Sequence, residues 1–279
     1  MSSFQEKAQE ILSDTYNELS RPELEYPANH FAFRSMLNSF AEKDVQSIVE
    51  VGIGHGNAIP VFVAAGLRVA GFDNNSELVN SSKAKAKEFG LDPNNVVFGD
   101  IEDPLTYASL DGRGDFDGLV AMGVMPHVHH DEQSLINMAA LVRPGGEVFI
   151  EFRNSLFSLI TFNRFTHEFI MEELLFDVSP EIKSMVDKHL RDKFDVTKPG
   201  PASSKFHNPF GVVELFDTLG FEDADVIPFH YHAGMPSLES QNPQGFRAAS
   251  VKLENESSGW RGLFLCSAFV VHAFVPEQL

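Results

Sequence analysis

Residues 47 to 57, Ser-Ile-Val-Glu-Val-Gly-Ile-Gly-His-Gly-Asn, are an apolar run that breaks into glycines spaced by two. Ser47 to Val51 read as a short buried strand. Gly52, Gly54 and Gly56 let the backbone turn tightly and come close to a bound small molecule before a helix begins near Asn57. A dinucleotide fingerprint needs its third glycine at position 57, where Asn57 stands. The pattern Glu50-x-Gly52-x-Gly54-x-Gly56 therefore departs from a pyrophosphate cradle. A glycine cluster alone serves a plain turn equally well, so the residues downstream decide.

Arg68 to Phe72 form a second strand, and Asp73 at its end can accept hydrogen bonds from ribose hydroxyls or cap the helix that starts near Ser76. Asn95 to Phe98 read as a third strand, followed by Gly99-Asp100-Ile101, a carboxylate beside an apolar residue that suits an adenine ring. The fourth strand, Phe116 to Ala121, leads into Met122-Gly123-Val124-Met125-Pro126-His127. A helix from about Asp131 to Val142 then precedes the turn Arg143-Pro144-Gly145-Gly146 and a fifth strand, Glu147 to Arg153. All five strands end on one edge.

Over residues 45 to 153 this order of motifs, with the Met125-x-His127-Val128 turn, resembles the class I S-adenosylmethionine-dependent methyltransferases. The resemblance implies an α/β, Rossmann-like, seven-stranded, mostly parallel sheet with an antiparallel last strand. It implies S-adenosylmethionine as cofactor, with Glu50 opening the motif and Gly52, Gly54 and Gly56 passing under the methionine part. Asp73 with Asn74 then holds the ribose, Asp100 and Ile101 frame the adenine, and Met122 belongs to the same cofactor set. A histidine at the fourth-strand turn, here His127, fits the small-molecule O- and N-methyltransferases. The Asn/Asp-Pro-Pro-Tyr-like motif of enzymes that methylate amino groups of nucleic acids and proteins is absent.

Composition narrows the partners. A formal net charge of −19 opposes a polyanionic ligand, and the nearest thing to a basic run is the spaced Lys83, Lys85 and Lys87, on a helix read as solvated. No nucleic acid is expected. A single cysteine, Cys266, excludes an intramolecular disulfide framework, and its apolar neighbours predict a buried thiol. The first residues lack a basic end followed by an apolar stretch, and no segment has the roughly twenty apolar residues of a spanning helix. The chain is expected to be cytoplasmic, without stable membrane insertion.

Three regions flank the cofactor core of residues 45–153. Residues 1–44 read as a helical cap of two helices, Phe4 to Leu19 and Asn29 to Ala41. In the second, Phe31, Arg34, Leu37 and Phe40 share a face, which either packs on the core or forms a lid with Arg34 meeting the cofactor carboxylate. Residues 154–208 are a helical insertion rich in Phe, packing on itself, on a second copy in a homodimer, or as an apolar wall around the acceptor. Its end, from Lys198 to Pro209, has the Pro, Gly and Ser content of a flap. Residues 209–279 finish the core, with a long polar loop at 232–260 that either reads the acceptor or is a surface excursion.

Methyl transfer to a hydroxyl requires alignment and removal of one proton. His127 is the expected catalytic base; a structural role is its alternative, and His207, His230 and His232 are the other candidates. His127, His129, His130 and Asp131 do not form a known ligand spacing, and no metal is expected. The expected function is transfer of the methyl of S-adenosylmethionine to a hydroxyl of a small polar acceptor, a sugar or a biosynthetic intermediate. A small-amine N-methyltransferase and a non-catalytic cofactor-binding partner subunit are the alternatives.

Overall fold

A computed structural model describes residues 28–196, 205–256 and 259–276. The expected helix from Phe4 to Leu19 and most of the flap lie outside the described residues.

Seven strands form one sheet in the order β3-β2-β1-β4-β5-β7-β6. They are β1 (Ser47–Val51), β2 (Arg68–Asp73), β3 (Val96–Phe98), β4 (Phe116–Ala121), β5 (Val142–Arg153), β6 (Glu222–Tyr231) and β7 (Cys266–Phe274). The first five run parallel, and β7 enters antiparallel between β5 and β6. Every residue of β1 is buried, as expected for a central strand covered on both faces.

Alternation along the strands divides the core in two. Val49, Val51, Leu119, Val148 and Ile150 face one layer, which includes Leu135 and Met138 of α4 (Asp131–Ala139) and Phe216 of α7 (Pro209–Thr218). Ile48, Val69, Val120 and Phe149 face the other, with Met36, Leu37 and Phe40 of α1 (Ala28–Glu42) and Phe62 of α2 (Ile59–Ala64). Helix α3 (Ser76–Glu88) closes a third cluster, in which Val79 and Ala86 join Ile53, Ile59 and Val96. Burial of these side chains is the main stabilising term. The thiol of Cys266 is buried, which pushes its pKa up to about 12.

Several elements differ from the sequence reading. Helix α4 stops at Ala139, and the Arg143-Pro144-Gly145-Gly146 segment belongs to β5, where the Gly145 amide donates to Val275 O at 2.8 Å. The polar stretch 232–260 is not a loop. It contains a 3-10 turn (Pro236–Gln241), α8 (Pro243–Asn255) and the start of α9 (Trp260–Leu265). Helix α8 starts at a proline in its first turn, and the Asn242 side chain accepts from Gly245 N at 3.1 Å. The insertion is broken into a 3-10 turn (Leu156–Ile160), α5 (Arg164–Glu168), a π turn (Phe169–Leu174) and α6 (Pro180–Arg191).

Candidate active site

The carboxyl ends of β1 to β4 open into a cleft of about 370 Å³. At its floor the amides of Gly52 and Ile53 donate to Phe72 O at 2.9 and 3.1 Å, which ties the turn after β1 to β2. Gly52 and Gly54 hold φ of 68° and 56°, the left-handed region in which a side chain is strained. A Cβ on Gly52 would stand 2.5 Å from Val124 Cγ2, whereas one on Gly54 would meet only Gly52 O at 3.9 Å. The turn thus leaves open space above Gly54.

The carboxylate of Asp73 is fixed by two backbone donors, Gly54 N to Oδ2 at 3.0 Å and Asn75 N to Oδ1 at 2.9 Å. It is not the cap of α3. That role belongs to Asn75, whose side chain accepts from Glu77 N and Leu78 N. Each oxygen of Asp73 retains acceptor capacity toward the cleft, which Asp73 and Asn74 both line. Glu50 lies beneath, 5% exposed, with Oε2 lacking a hydrogen bond. Burial, reinforced by the charge of Asp73, pushes it up to about 8.

Asp100 and Ile101 line the cleft beyond β3. One oxygen of Asp100 accepts from Glu102 N at 3.0 Å, and Ile101 O accepts from Asn137 Nδ2 at 2.6 Å, so α4 holds this corner. Glu102 accepts from the amides of His129 and His130 and lies 3.0 Å from His129 Nδ1. Burial alone would raise Glu102, but these bonds outweigh it and hold the carboxyl below its ordinary value. His127 is exposed and also lines the cleft.

The structure does not bring every expected residue to the cleft. Arg34 donates to Asn255 Oδ1 at 3.2 Å and sits over the Phe31 ring, so α1 turns it toward α8 and not toward the cofactor edge. Met122 packs against the core on the α1 side. Gly54 and Gly56 shape the turn without lining the cleft itself. His207 lies 3.2 Å from Asp131 Oδ2, and Lys205 donates to the other oxygen of Asp131 at 3.1 Å. The rings of His230 and His232 lie 4.9 Å apart, tilted by 32°, at the end of β6. Burial, then His232 and Arg153, lowers His230 to about 4, leaving it neutral. Among the described residues no three His, Cys, Asp or Glu side chains converge as metal ligands.

One residue escaped the sequence reading. Glu151, in the apolar run of β5, accepts from Gly123 N at 2.6 Å, and Gly123 is part of the cleft wall. A carboxylate inside a buried strand was the available signal.

An open glycine turn, two carboxylates on successive strand ends and an apolar corner suit an elongated nucleoside with polar groups along its length. Residues 49–150 match a family model described as a methyltransferase domain. The ubiquinone biosynthesis O-methyltransferase of Coxiella burnetii (strain Dugway 5J108-111) is 24% identical over 185 residues, 66% of this chain and 67% of that one. The phosphatidylethanolamine N-methyltransferase of Cereibacter sphaeroides is 31% identical over 104 residues, 37% of this chain and 48% of its own. A SAM-dependent methyltransferase from Archaeoglobus fulgidus shares the fold, with a TM-score of 0.50 at 15% identity over 86% of this chain and 91% of that one. With the sheet order and the glycine turn at its carboxyl edge, these matches place the chain among the class I S-adenosylmethionine-dependent methyltransferases.

Proposed function

We propose that the protein methylates a hydroxyl of a small polar acceptor, a sugar or a biosynthetic intermediate. The observation that carries this reading is the exposed His127 on the wall of the cleft that Asp73 and Asp100 also line. Bound S-adenosylmethionine supplies an electrophilic methyl on a sulfonium. Asp73 and Asn74 receive the ribose hydroxyls, Asp100 and Ile101 flank the adenine, and the turn from Gly52 to Gly56 gives the methionine part room. Glu50 and Met122 support that turn and the neighbouring wall from below. His127 accepts the hydroxyl proton and passes it to solvent, and the walls of the cleft limit competing water. In this division residues 45–153 carry the cofactor, and residues 154–208 with 232–260 frame the acceptor.

A small amine is the second reading, favoured by the local likeness to a phosphatidylethanolamine N-methyltransferase. An amine that enters neutral makes less use of a base. The chain's excess of acidic residues supports a partner other than nucleic acid. No helix among the described residues is long and apolar enough to cross a membrane.

The test is calorimetric titration with S-adenosylmethionine and S-adenosylhomocysteine, followed by an acceptor screen with radiolabelled cofactor. Micromolar binding of both ligands, lost in Asp73→Ala, is expected; absence of binding refutes the cleft assignment. With an acceptor in hand, His127→Ala lowers kcat on a hydroxyl by about 100-fold or more. Full turnover in that variant would favour the amine.

A further inference from the structure

Glu151 is the one acidic side chain of β5 that reaches the cleft wall without belonging to the cofactor motifs. Its Oε2 is held at 2.6 Å by the amide of Gly123, and no described residue donates to its Oε1. Gly123 itself carries a φ of 73°, with nothing within 4 Å of where a Cβ would stand, so this stretch of wall is bare backbone. Strand order gives the position along the cleft. Neighbouring strands lie about 4.8 Å apart, so the end of β4 is three strands, roughly 14 Å, from the end of β3. On the reading given above, adenine and ribose occupy the β3 and β2 ends, and the sulfur of the cofactor falls toward β4 and Gly123.

We propose that Glu151 is the anionic counterpart of the sulfonium, giving up a proton to solvent when the charged cofactor enters and regaining one after the methyl has left. The proposal rests on the cofactor reading of the cleft and adds to it a residue that distinguishes cofactor from product. A carboxylate beside a sulfonium attracts it; beside the neutral thioether that remains after transfer, it does not. Glu151 would favour loading of the methylated form and release of the spent one.

The surroundings suit a group that changes charge. Burial pushes Glu151 up to about 7, against the pull of the Gly123 amide and the charge of Arg153, so both protonation states are populated near neutrality. Arg153 stands two residues along the same face of β5, and His230 and His232 at the end of β6 are uncharged at that pH because burial lowers both. The other raised carboxyl near the cleft is Glu50, which faces Asp73.

The experiment is calorimetric titration of the full chain with S-adenosylmethionine and with S-adenosylhomocysteine, at pH about 6.5, in buffers of different ionisation enthalpy, which counts protons released per ligand bound. Release of a substantial fraction of one proton is expected with the sulfonium and little with the thioether. Glu151→Gln, which keeps the acceptor for Gly123, should abolish the difference. Affinity for S-adenosylmethionine should also rise roughly fivefold from about pH 6 to pH 8 if the cation shifts Glu151 by about one pKa unit, and this rise should vanish in Glu151→Gln. The α-amino and carboxyl groups of the ligands titrate alike in both proteins, so the difference reports on Glu151. Equal proton release by the two ligands, or unchanged release in Glu151→Gln, overturns the proposal while leaving the cofactor cleft intact. Failure of either ligand to bind overturns both.

Discussion

Gly52 and Gly54 have the same sign of φ and differ in what surrounds them. Alanine at 52 meets Val124 at 2.5 Å in addition to the backbone strain, whereas alanine at 54 has only the strain to bear. A left-handed residue costs about 1–2 kcal/mol. Gly54→Ala is therefore expected to fold, melt a few degrees lower and lose at least about tenfold in affinity for S-adenosylmethionine as its methyl enters the open space of the turn. Gly52→Ala is expected to lose several times more stability, and a thermal melt beside a calorimetric titration separates the two. Glu50 supplies a second prediction. Its folded pKa of about 8 lies above the ordinary 4.5, so the folded state holds the proton more tightly. Its contribution is fully present below about pH 4.5 and is lost as pH rises through 8, on the order of a few kcal/mol in all. Without cofactor, Glu50→Gln should raise the melting temperature at about pH 8 and change it little at about pH 5. An equal shift at both would contradict the assignment.

Among the elements, the junction after β5 depends on one amide. Asn154 is fully buried; its Nδ2 donates to Leu263 O and Cys266 O at 2.5 and 2.9 Å, and its Oδ1 accepts from Leu156 N at 3.0 Å. It joins the end of β5 to α9 and to the start of β7. Asn154→Ala leaves those three backbone groups without their partner and should cost about 2–4 kcal/mol in denaturant unfolding. A loss below about 0.5 kcal/mol would mean that water replaces the amide. The same junction shows what a sequence displays. Strands β1 to β4 were legible because each is an apolar run closed by Gly or Asp, and the residues proposed to hold the cofactor stand at those endings. The start of β5 was not, since Gly145 is held by Val275, a partner remote along the chain. Helix α8 was hidden by its polar face, although Asn242 and Pro243 are start signals. Arg34 sits on the expected helix but points elsewhere, because the rotation of a helix against the sheet is set by packing at Met36, Leu37 and Phe40. Glu151 escaped because an apolar strand reads as core throughout.

At the scale of the whole molecule, the 40 acidic residues against 21 basic ones are a collective term. Mutual repulsion opposes compactness, and it is screened over a Debye length of about 10 Å at 0.1 M salt. Raising sodium chloride from about 0.02 M to 0.3 M should increase the melting temperature by a few degrees, read by circular dichroism at pH 7.5. A decrease would show that local ion pairs, such as Arg143 with Asp117, outweigh the net charge. The placement of β7 has a consequence for biosynthesis. Residues 266 to 274 fill a slot between two strands made earlier, and until they leave the ribosome β5 presents a raw edge and β6 has no neighbour. The half that holds the cleft can assemble during translation, but the sheet is sealed late and from within. A nascent chain stalled before residue 266 would carry the cleft residues beside an unpaired backbone edge, the kind of surface that chaperones shield and that otherwise nucleates aggregation.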